Sequence, residues 1–257
     1  TATIGGNDYV LNDHNFPTID PADPYRLTPE EEKVVDRLRG SFAASEKLHA
    51  HVRFLYAKGS MYLAYNTNLL FHGCIPMDES GEFTTITVGD EAFTGKRFID
   101  RLERLSREAY FHKSKENREY GLDVLWYLWC GQNSPLFGKT KMATFESYFI
   151  DDKSTHKEAK NPYYKFRDDV KMCEKILTEF GLDPDKAHII NGHVPVQVKD
   201  GESPIKAEGK LLVIDGGLSK AYQKKTGIAG YTLISNSWGT QLVAHQPFTT
   251  TQQAVEE

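Results

Sequence analysis

The spacing of apolar residues changes character near Gly181, and the change divides the chain into a helix-rich part and a strand-rich end. Residues 1–27, rich in Asn, Asp and Pro, hold no sustained period and read as an irregular lead-in. Thr28-Pro29-Glu30-Glu31 then supplies a helix N-cap, a proline at the first helical position and a capping-box glutamate. A helix is predicted over residues 29–57, with Gly40 a candidate break and Gly59 its stop. Met61 to Phe71 is apolar and aromatic, with Asn66-Thr67-Asn68 as a turn between two strands, and a loop or hairpin follows through Gly81. Phe98, Leu102, Leu105 and Ala109 recur at helical spacing and predict a helix over residues 91–112. Leu122 to Trp129 is an apolar run that suits helix or strand, and residues 132–163 read mainly as loop. Val170, Cys173, Leu177 and Phe180 share one face of a helix predicted over residues 168–180 and ended by Gly181. Beyond it, His188-Ile189-Ile190, Leu211 to Ile214, Tyr231 to Ile234 and Gln241 to Ala244 are short runs bounded by Gly, Asn, Asp or Ser. The expected fold is α/β, with these last runs as adjacent strands of one mixed sheet. There is no internal repeat, low-complexity tract or evident domain boundary, so residues 1–257 are taken as one unit.

Composition narrows the function classes. At 257 residues the chain can bury a sizeable core, and its 39% hydrophobic and 26% charged residues are globular values. A net charge of −5 offers no basic field for nucleic acid. No apolar stretch approaches the roughly 20 residues that cross a bilayer, so no membrane association is expected. The first residues lack a basic n-region and an apolar run, and no signal peptide is expected. Cys74, Cys130 and Cys173 are scattered and odd in number, which suits a reducing, cytoplasmic setting over a disulfide framework.

Candidate chemistry clusters where apolar runs end. Asn68 to Phe71 leads into His72-Gly73, and His188 to Asn191 leads into Gly192-His193. A histidine at the carboxyl end of a buried strand stands where open sheets hold ligands, and the adjacent glycine would free the turn. Two such imidazoles could meet on one divalent metal. They could equally be two unrelated turn histidines. Leu211 to Ile214 ends in Asp215-Gly216-Gly217 with Lys220 close behind. The glycines would let backbone approach a phosphate, Lys220 would pair with it and Asp215 would support a metal ligand; an ordinary tight turn fits the same residues. The block Trp126 to Gly131 reads as core. The polar stretch after it, with Lys139 and Lys141, could line a substrate pocket. His14, His51, His112, His156 and His188 carry no partner pattern, and His245 reads as a strand residue.

In this order the pieces resemble a known family. Leu70-Phe71-His72-Gly73, Asn191-Gly192-His193 and the end from Leu211 to Phe248 resemble the calcineurin-like metallophosphoesterases. The stretch from Asn191 to Phe248 is similar to the C-terminal signature of class III fructose-1,6-bisphosphatases. So are Phe71 to Pro76, Trp126 to Gly131 with Ser134 to Lys139, and Asn15 to Tyr25. The resemblance spans essentially the whole chain. It implies a β-sandwich flanked by helices, and a parent enzyme that removes the 1-phosphate of fructose 1,6-bisphosphate in gluconeogenesis. It also implies two divalent metals, manganese, with His72 and His193 as ligands of one. Asn191, Asp215, Gly216, Lys220 and Lys139 are the candidate substrate or phosphate contacts. Homo-oligomeric assembly stays open. The superfamily's D-x-H, G-D-x-x-D-R-G and G-N-H-[DE] motifs are absent, and Gly6-Asn7-Asp8 lacks the histidine. The chain also begins without methionine. The expectation is therefore a C-terminal portion of a single catalytic domain, with the general acid and the other metal ligands elsewhere. Another metallophosphoesterase, such as a protein phosphatase, and a non-catalytic fragment are the alternatives.

Overall fold

A computed structural model describes residues 1–111, 114–245 and 250–256, with the side chains of 115–117, 220, 254 and 256 outside that description. His112, and Phe248 at the end of the terminal motif, lie outside the described residues. In chain order the elements are β1 (Ala2–Ile4), β2 (Asn7–Tyr9), α1 (Pro29–Ala43), α2 (Glu46–Lys58), β3 (Tyr62–Tyr65), β4 (Asn68–Phe71), β5 (Ile86–Val88) and β6 (Glu91–Phe93). Then come α3 (Gly95–Phe111), α4 (Lys115–Cys130), α5 (Thr144–Phe149), α6 (Tyr163–Phe166), α7 (Val170–Glu179) and β7 (His188–Asn191). The chain closes with β8 (Ile205–Lys206), β9 (Leu211–Val213), α8 (Lys220–Thr226), β10 (Tyr231–Asn236), β11 (Gly239–Ala244) and α9 (Thr251–Glu256). The architecture is mixed α/β. Its contacts divide into two compact units, Thr1–Ser60 with Met142–Glu158, and Met61–Lys141 with Ala159–Glu257.

In the first unit the predicted capping box forms: the Thr28 hydroxyl accepts from the Glu31 amide, and the Glu31 carboxylate accepts from the Thr28 amide. The helical stretch breaks at Ala44-Ser45 and not at Gly40. Ser45 is the reason, because its extended backbone and its side chain, which accepts from the Leu48 amide, start α2 afresh. Helix α5 occupies a segment expected to be loop; at six residues, with no side-chain N-cap, it is too short to set a visible period.

The second unit is built on a five-stranded sheet of order β3-β4-β7-β9-β8. Its three central strands, β4, β7 and β9, run parallel, and the edge strands β3 and β8 are antiparallel to their neighbours. The β3–β4 hairpin turns at Asn66 and Thr67, both at positive φ. The sheet is therefore mixed, as expected, but it draws on residues from Tyr62 onward and is not confined to the last third. Among the described residues, strands β10 and β11 do not join it and pair with each other. Their root is tied to the chain after β9 by the Asp215–Gly230 bridge and by the Tyr231 amide on the Ile214 carbonyl. Gly230, at the root of β10, has φ of 152°, a backbone that glycine adopts most readily.

Leu69, Ile189, Leu211 and Val213 of the sheet are fully buried, as are Cys173, Ile176 and Leu177 of α7. Helix α3 buries the predicted Phe98, Leu102, Leu105 and Ala109, but it starts at Gly95 because residues 91–93 are taken by β6. Each large apolar side chain so buried contributes about 1.5–3 kcal/mol. The run Leu122 to Trp129 is helical. Its two tryptophans, expected in the core, are exposed and stack edge-on with centroids 5.0 Å apart. Val124 and Leu128 of that stretch are buried, and Leu125 and Tyr127 pack half-buried beside them, so one helix face meets the core while the tryptophans stand on the other. Among the described residues no helix is long and apolar enough to cross a membrane.

Candidate functional site

The three parallel strands end together, so the residues just past them share one edge of the sheet. Past β4 stands His72, past β7 stand Gly192 and His193, and past β9 stands Asp215. The ladder continues beyond the strands: the Gly192 amide donates to the His72 carbonyl at 3.1 Å, and the Ile214 amide to the Asn191 carbonyl at 2.9 Å. Ligands of open sheets collect outside this carboxyl edge.

His72 and His193 converge there. The His72 Nε2 lies 2.9 Å from the His193 Nδ1, and the rings meet edge to face with centroids 4.7 Å apart. The other nitrogen of His193, Nε2, is 2.8 Å from the Phe137 carbonyl. A carbonyl only accepts, so that nitrogen carries the proton and Nδ1 presents its lone pair toward His72. An outer hydrogen bond of this kind fixes the tautomer of metal-ligating histidines. Burial first, and His193 second, lower the His72 pKa below the ordinary value of 6.5, against an opposing pull from Asp215. The His72 imidazole is thus biased toward its neutral, ligating form.

The turn that aims His193 differs from expectation. Gly192 does not take the left-handed backbone; His193 itself does, at φ 66°. The Val194 amide closes the turn on the Gly192 carbonyl at 2.7 Å. Histidine enters this region more readily than most residues, yet the strain is real and concentrates at functional sites. The adjacent glycines serve close approach instead. A β-carbon on Gly73 would sit 2.5 Å from the Pro135 carbonyl oxygen, and one on Gly192 3.3 Å from the Asp215 β-carbon.

The remaining candidates fall around this pair. Asn191 is buried; its Nδ2 donates to the Tyr163 hydroxyl at 2.7 Å and to the Gly73 carbonyl at 3.2 Å, while its Oδ1 has no partner among the described residues. Asp215 accepts from the Gly217 amide through Oδ1 at 2.9 Å, and its carbonyl takes the Val196 amide. Gly216 is buried, and a β-carbon there would meet the Gly230 backbone and Ile228, so its missing side chain is occupied by protein. Lys139 is half-buried two residues past Phe137, with its ammonium over the Phe137 ring. Lys220 begins α8, and its side chain is outside the description. His188 and His156 are bonded to the Gly209 and Ile150 carbonyls. His245 lies one residue past β11, against the Thr232 hydroxyl.

Metal–nitrogen bonds of about 2.1 Å place neighbouring ligands roughly 3 Å apart, so the 2.9 Å separation suits two donors to one ion. The unpartnered Asn191 Oδ1 adds a buried oxygen that a cation's field would satisfy. Among the described residues no three His, Cys, Asp or Glu side chains converge as a complete metal site. The pair fits as part of one.

The model of the Firmicute fructose-1,6-bisphosphatases matches residues 1–257. The chain belongs to that family. Among its relatives is the class 3 fructose-1,6-bisphosphatase of Clostridium tetani (strain Massachusetts / E88), 57% identical over 258 residues, 100% of this chain and 39% of that protein. The class 3 enzyme of Clostridium botulinum (strain Alaska E43 / Type E3) is 59% identical over 256 residues, 99% of this chain and 39% of that protein. That of Clostridium acetobutylicum is 58% identical over 258 residues, again 39% of its length. The chain thus spans about two-fifths of the curated relatives it matches. No solved structure matches.

Within this family member, two supporting groups escape sequence reasoning. The Phe137 carbonyl orients His193, but a backbone acceptor leaves no trace in residue type. Tyr163 is fully buried, with its hydroxyl on Asn191. A tyrosine in a polar segment gives no sign of that partner.

Proposed function

We propose that this chain carries one half of the metal site of a fructose-1,6-bisphosphatase that hydrolyses the 1-phosphate of fructose 1,6-bisphosphate to fructose 6-phosphate and phosphate. The fold around it is taken as part of a calcineurin-like metallophosphoesterase, with residues 1–257 a portion of its catalytic domain. The observation that carries the proposal is the 2.9 Å approach of His72 Nε2 to His193 Nδ1 at the carboxyl edge of the sheet.

In this proposal His72 and His193 hold one divalent ion, and manganese suits imidazole with oxygen donors. Divalent metal in such sites polarises a phosphoryl oxygen and lowers the pKa of bound water. The chain's own contributions are positional. The Phe137 carbonyl holds the proton on His193 Nε2, the strained His193 backbone aims the ring, and the Asn191–Tyr163 bond fixes the strand end. Asp215 favours positive charge at His72. Asn191, Asp215, Gly216, Lys139 and Lys220 are the candidates to meet the sugar phosphate. The free thiols of Cys74, Cys130 and Cys173 favour a cytoplasmic location.

The test measures metal content and turnover of fructose 1,6-bisphosphate in the full-length protein. His72→Ala and His193→Ala should each release one equivalent of metal and slow turnover by at least about a hundredfold. His156→Ala, whose ring bonds a carbonyl elsewhere, should do neither. Wild-type metal content in both site variants would sink the proposal.

A further inference from the structure

A second polar cleft, of about 420 Å³, lies in the Met61–Lys141 and Ala159–Glu257 unit. That volume falls in the range of small-ligand sites. Its walls carry four cations, Lys160, Lys165, Arg167 and Lys206, against the three carboxylates of Glu79, Asp168 and Glu202.

The two inner cations are unusually buried, with the Arg167 side chain 6% and the Lys206 side chain 9% exposed. Glu202 serves Lys206 well, at 2.8 Å, and also accepts the Gln197 amide at 2.8 Å. Arg167 is left with poor contacts: 3.5 Å to Glu202 and 3.8 Å to Asp168. Its Nη1 is buried with no hydrogen-bond partner among the described residues. A guanidinium has five donors in a planar fork, and burying one so thinly served is costly. At the mouth, Lys160 is exposed and makes no ion pair among the described residues, and Lys165 reaches Glu79 only at 3.9 Å, with both exposed. Arg167 and Lys160 also converge on one ring, 5.3 and 5.9 Å from the Tyr164 centroid. Cations gathered around an aromatic plate, with one carboxylate too few, call for an added anion whose several oxygens match the fork.

We propose that this cleft binds a phosphate monoester, with Arg167 and Lys206 at its floor and Lys160 and Lys165 at its mouth. The phosphate is either the second one of a bisphosphorylated sugar or that of a separate phosphorylated ligand. Phosphate binding at this cleft does not depend on the bisphosphatase assignment; only its reading as the substrate's second phosphate rests on that assignment.

The experiment titrates inorganic phosphate into full-length protein stripped of divalent metal by a chelator, read by calorimetry or phosphorus NMR. Without metal, binding at the histidine pair is removed as a source of signal. Saturable binding is expected. Lys160→Gln should weaken it about two- to fivefold, as an exposed charge does. Arg167→Lys should weaken it about tenfold or more, since lysine cannot replace the planar fork. Should Arg167→Lys fail to fold by circular dichroism, the Lys160→Gln/Lys165→Gln double variant decides, with an expected loss of roughly tenfold. His193→Ala should leave phosphate binding unchanged. The proposal is overturned if metal-free protein shows no saturable binding, if the double lysine variant binds as wild type, or if His193→Ala abolishes binding. None of these readings requires turnover, so failure of the bisphosphatase assignment would appear separately, as absent activity in metal-loaded protein. The two sources part in kinetics of the double variant. A raised KM for fructose 1,6-bisphosphate at constant kcat identifies the substrate's own second phosphate. An unchanged KM with a lost response to added glycerol phosphate identifies a separate ligand.

Discussion

Gly73→Ala is the sharpest test of how the His72 turn is built. The substitution needs no unusual backbone angle, because Gly73 is not among the positive-φ residues. Its whole cost is steric. The new methyl would stand 2.5 Å from the Pro135 carbonyl oxygen, a backbone atom with no rotamer to escape into. Relief to an ordinary contact of about 3.4 Å needs a shift of about 0.9 Å, and the same carbonyl accepts the Cys74 amide at 3.0 Å. Opening the gap therefore breaks that bond too. Overpacking costs about 1–3 kcal/mol and the lost buried hydrogen bond about 1 kcal/mol, giving roughly 2–4 kcal/mol together. For a chain of this size that lowers the melting midpoint by about 5–15 °C. Gly181→Ala is the matched control: its φ is 75°, but nothing lies within 4 Å of the added carbon, so only backbone strain of about 1 kcal/mol applies. Thermal melts by circular dichroism on both variants decide the matter. If Gly73→Ala melts no lower than Gly181→Ala, the close approach at Pro135 does not shape this turn.

Three further outcomes follow from the same geometry. At position 193, valine should destabilise by about 1–2 kcal/mol more than asparagine, because a β-branched residue resists φ of 66° while asparagine tolerates it; urea midpoints compare the two. Tyr163→Phe should cost about 1–3 kcal/mol by leaving the buried Asn191 amide short of an acceptor at 2.7 Å, read by chemical denaturation. His72 is held below its ordinary value of 6.5, so the folded state resists its protonation. Its contribution to stability is whole above pH of about 6.5 and is lost as pH falls through the lower folded value. His72→Asn should flatten that acid limb, and an unchanged limb would count against the buried, His193-crowded environment.

Much of the fold was legible because helix signals are local. Thr28-Pro29 with Glu31, and the apolar face of Phe98, Leu102, Leu105 and Ala109, each announce a helix without reference to the rest of the chain. The break at Ser45 was equally local but was overshadowed by Gly40, whose low helix propensity carries no capping bond. Sheet membership was harder. The β10 and β11 segments look like β7 and β9 in composition, yet only the latter two are buried on both faces between neighbours. Residue type records an extended backbone; it does not record which strand lies alongside.

The candidate site shows the same division more sharply. His72 and His193 were visible as histidines following apolar runs, and their meeting requires one further fact, that β4 and β7 are parallel neighbours. The register pairs Asn68 with His188, Leu69 with Ile189 and Leu70 with Ile190, so the two runs end level. Two chains leaving a sheet level and side by side are one strand spacing apart, about 4.8 Å, and imidazoles rooted there need only turn toward each other to touch. Gly192 was read as the device that turns the chain, but the positive φ belongs to His193, and the glycine makes room for Asp215 instead. That exchange of roles has a consequence for the chemistry. A glycine hinge would leave the imidazole free to swing, whereas a histidine held at φ of 66°, its ring bonded to the Phe137 carbonyl and its turn closed by the Val194 amide, is fixed at three points. The strain is offset by those bonds, and the donor nitrogen is already aimed before any ligand arrives. Preorganisation of this kind is what a metal site requires of its protein donors.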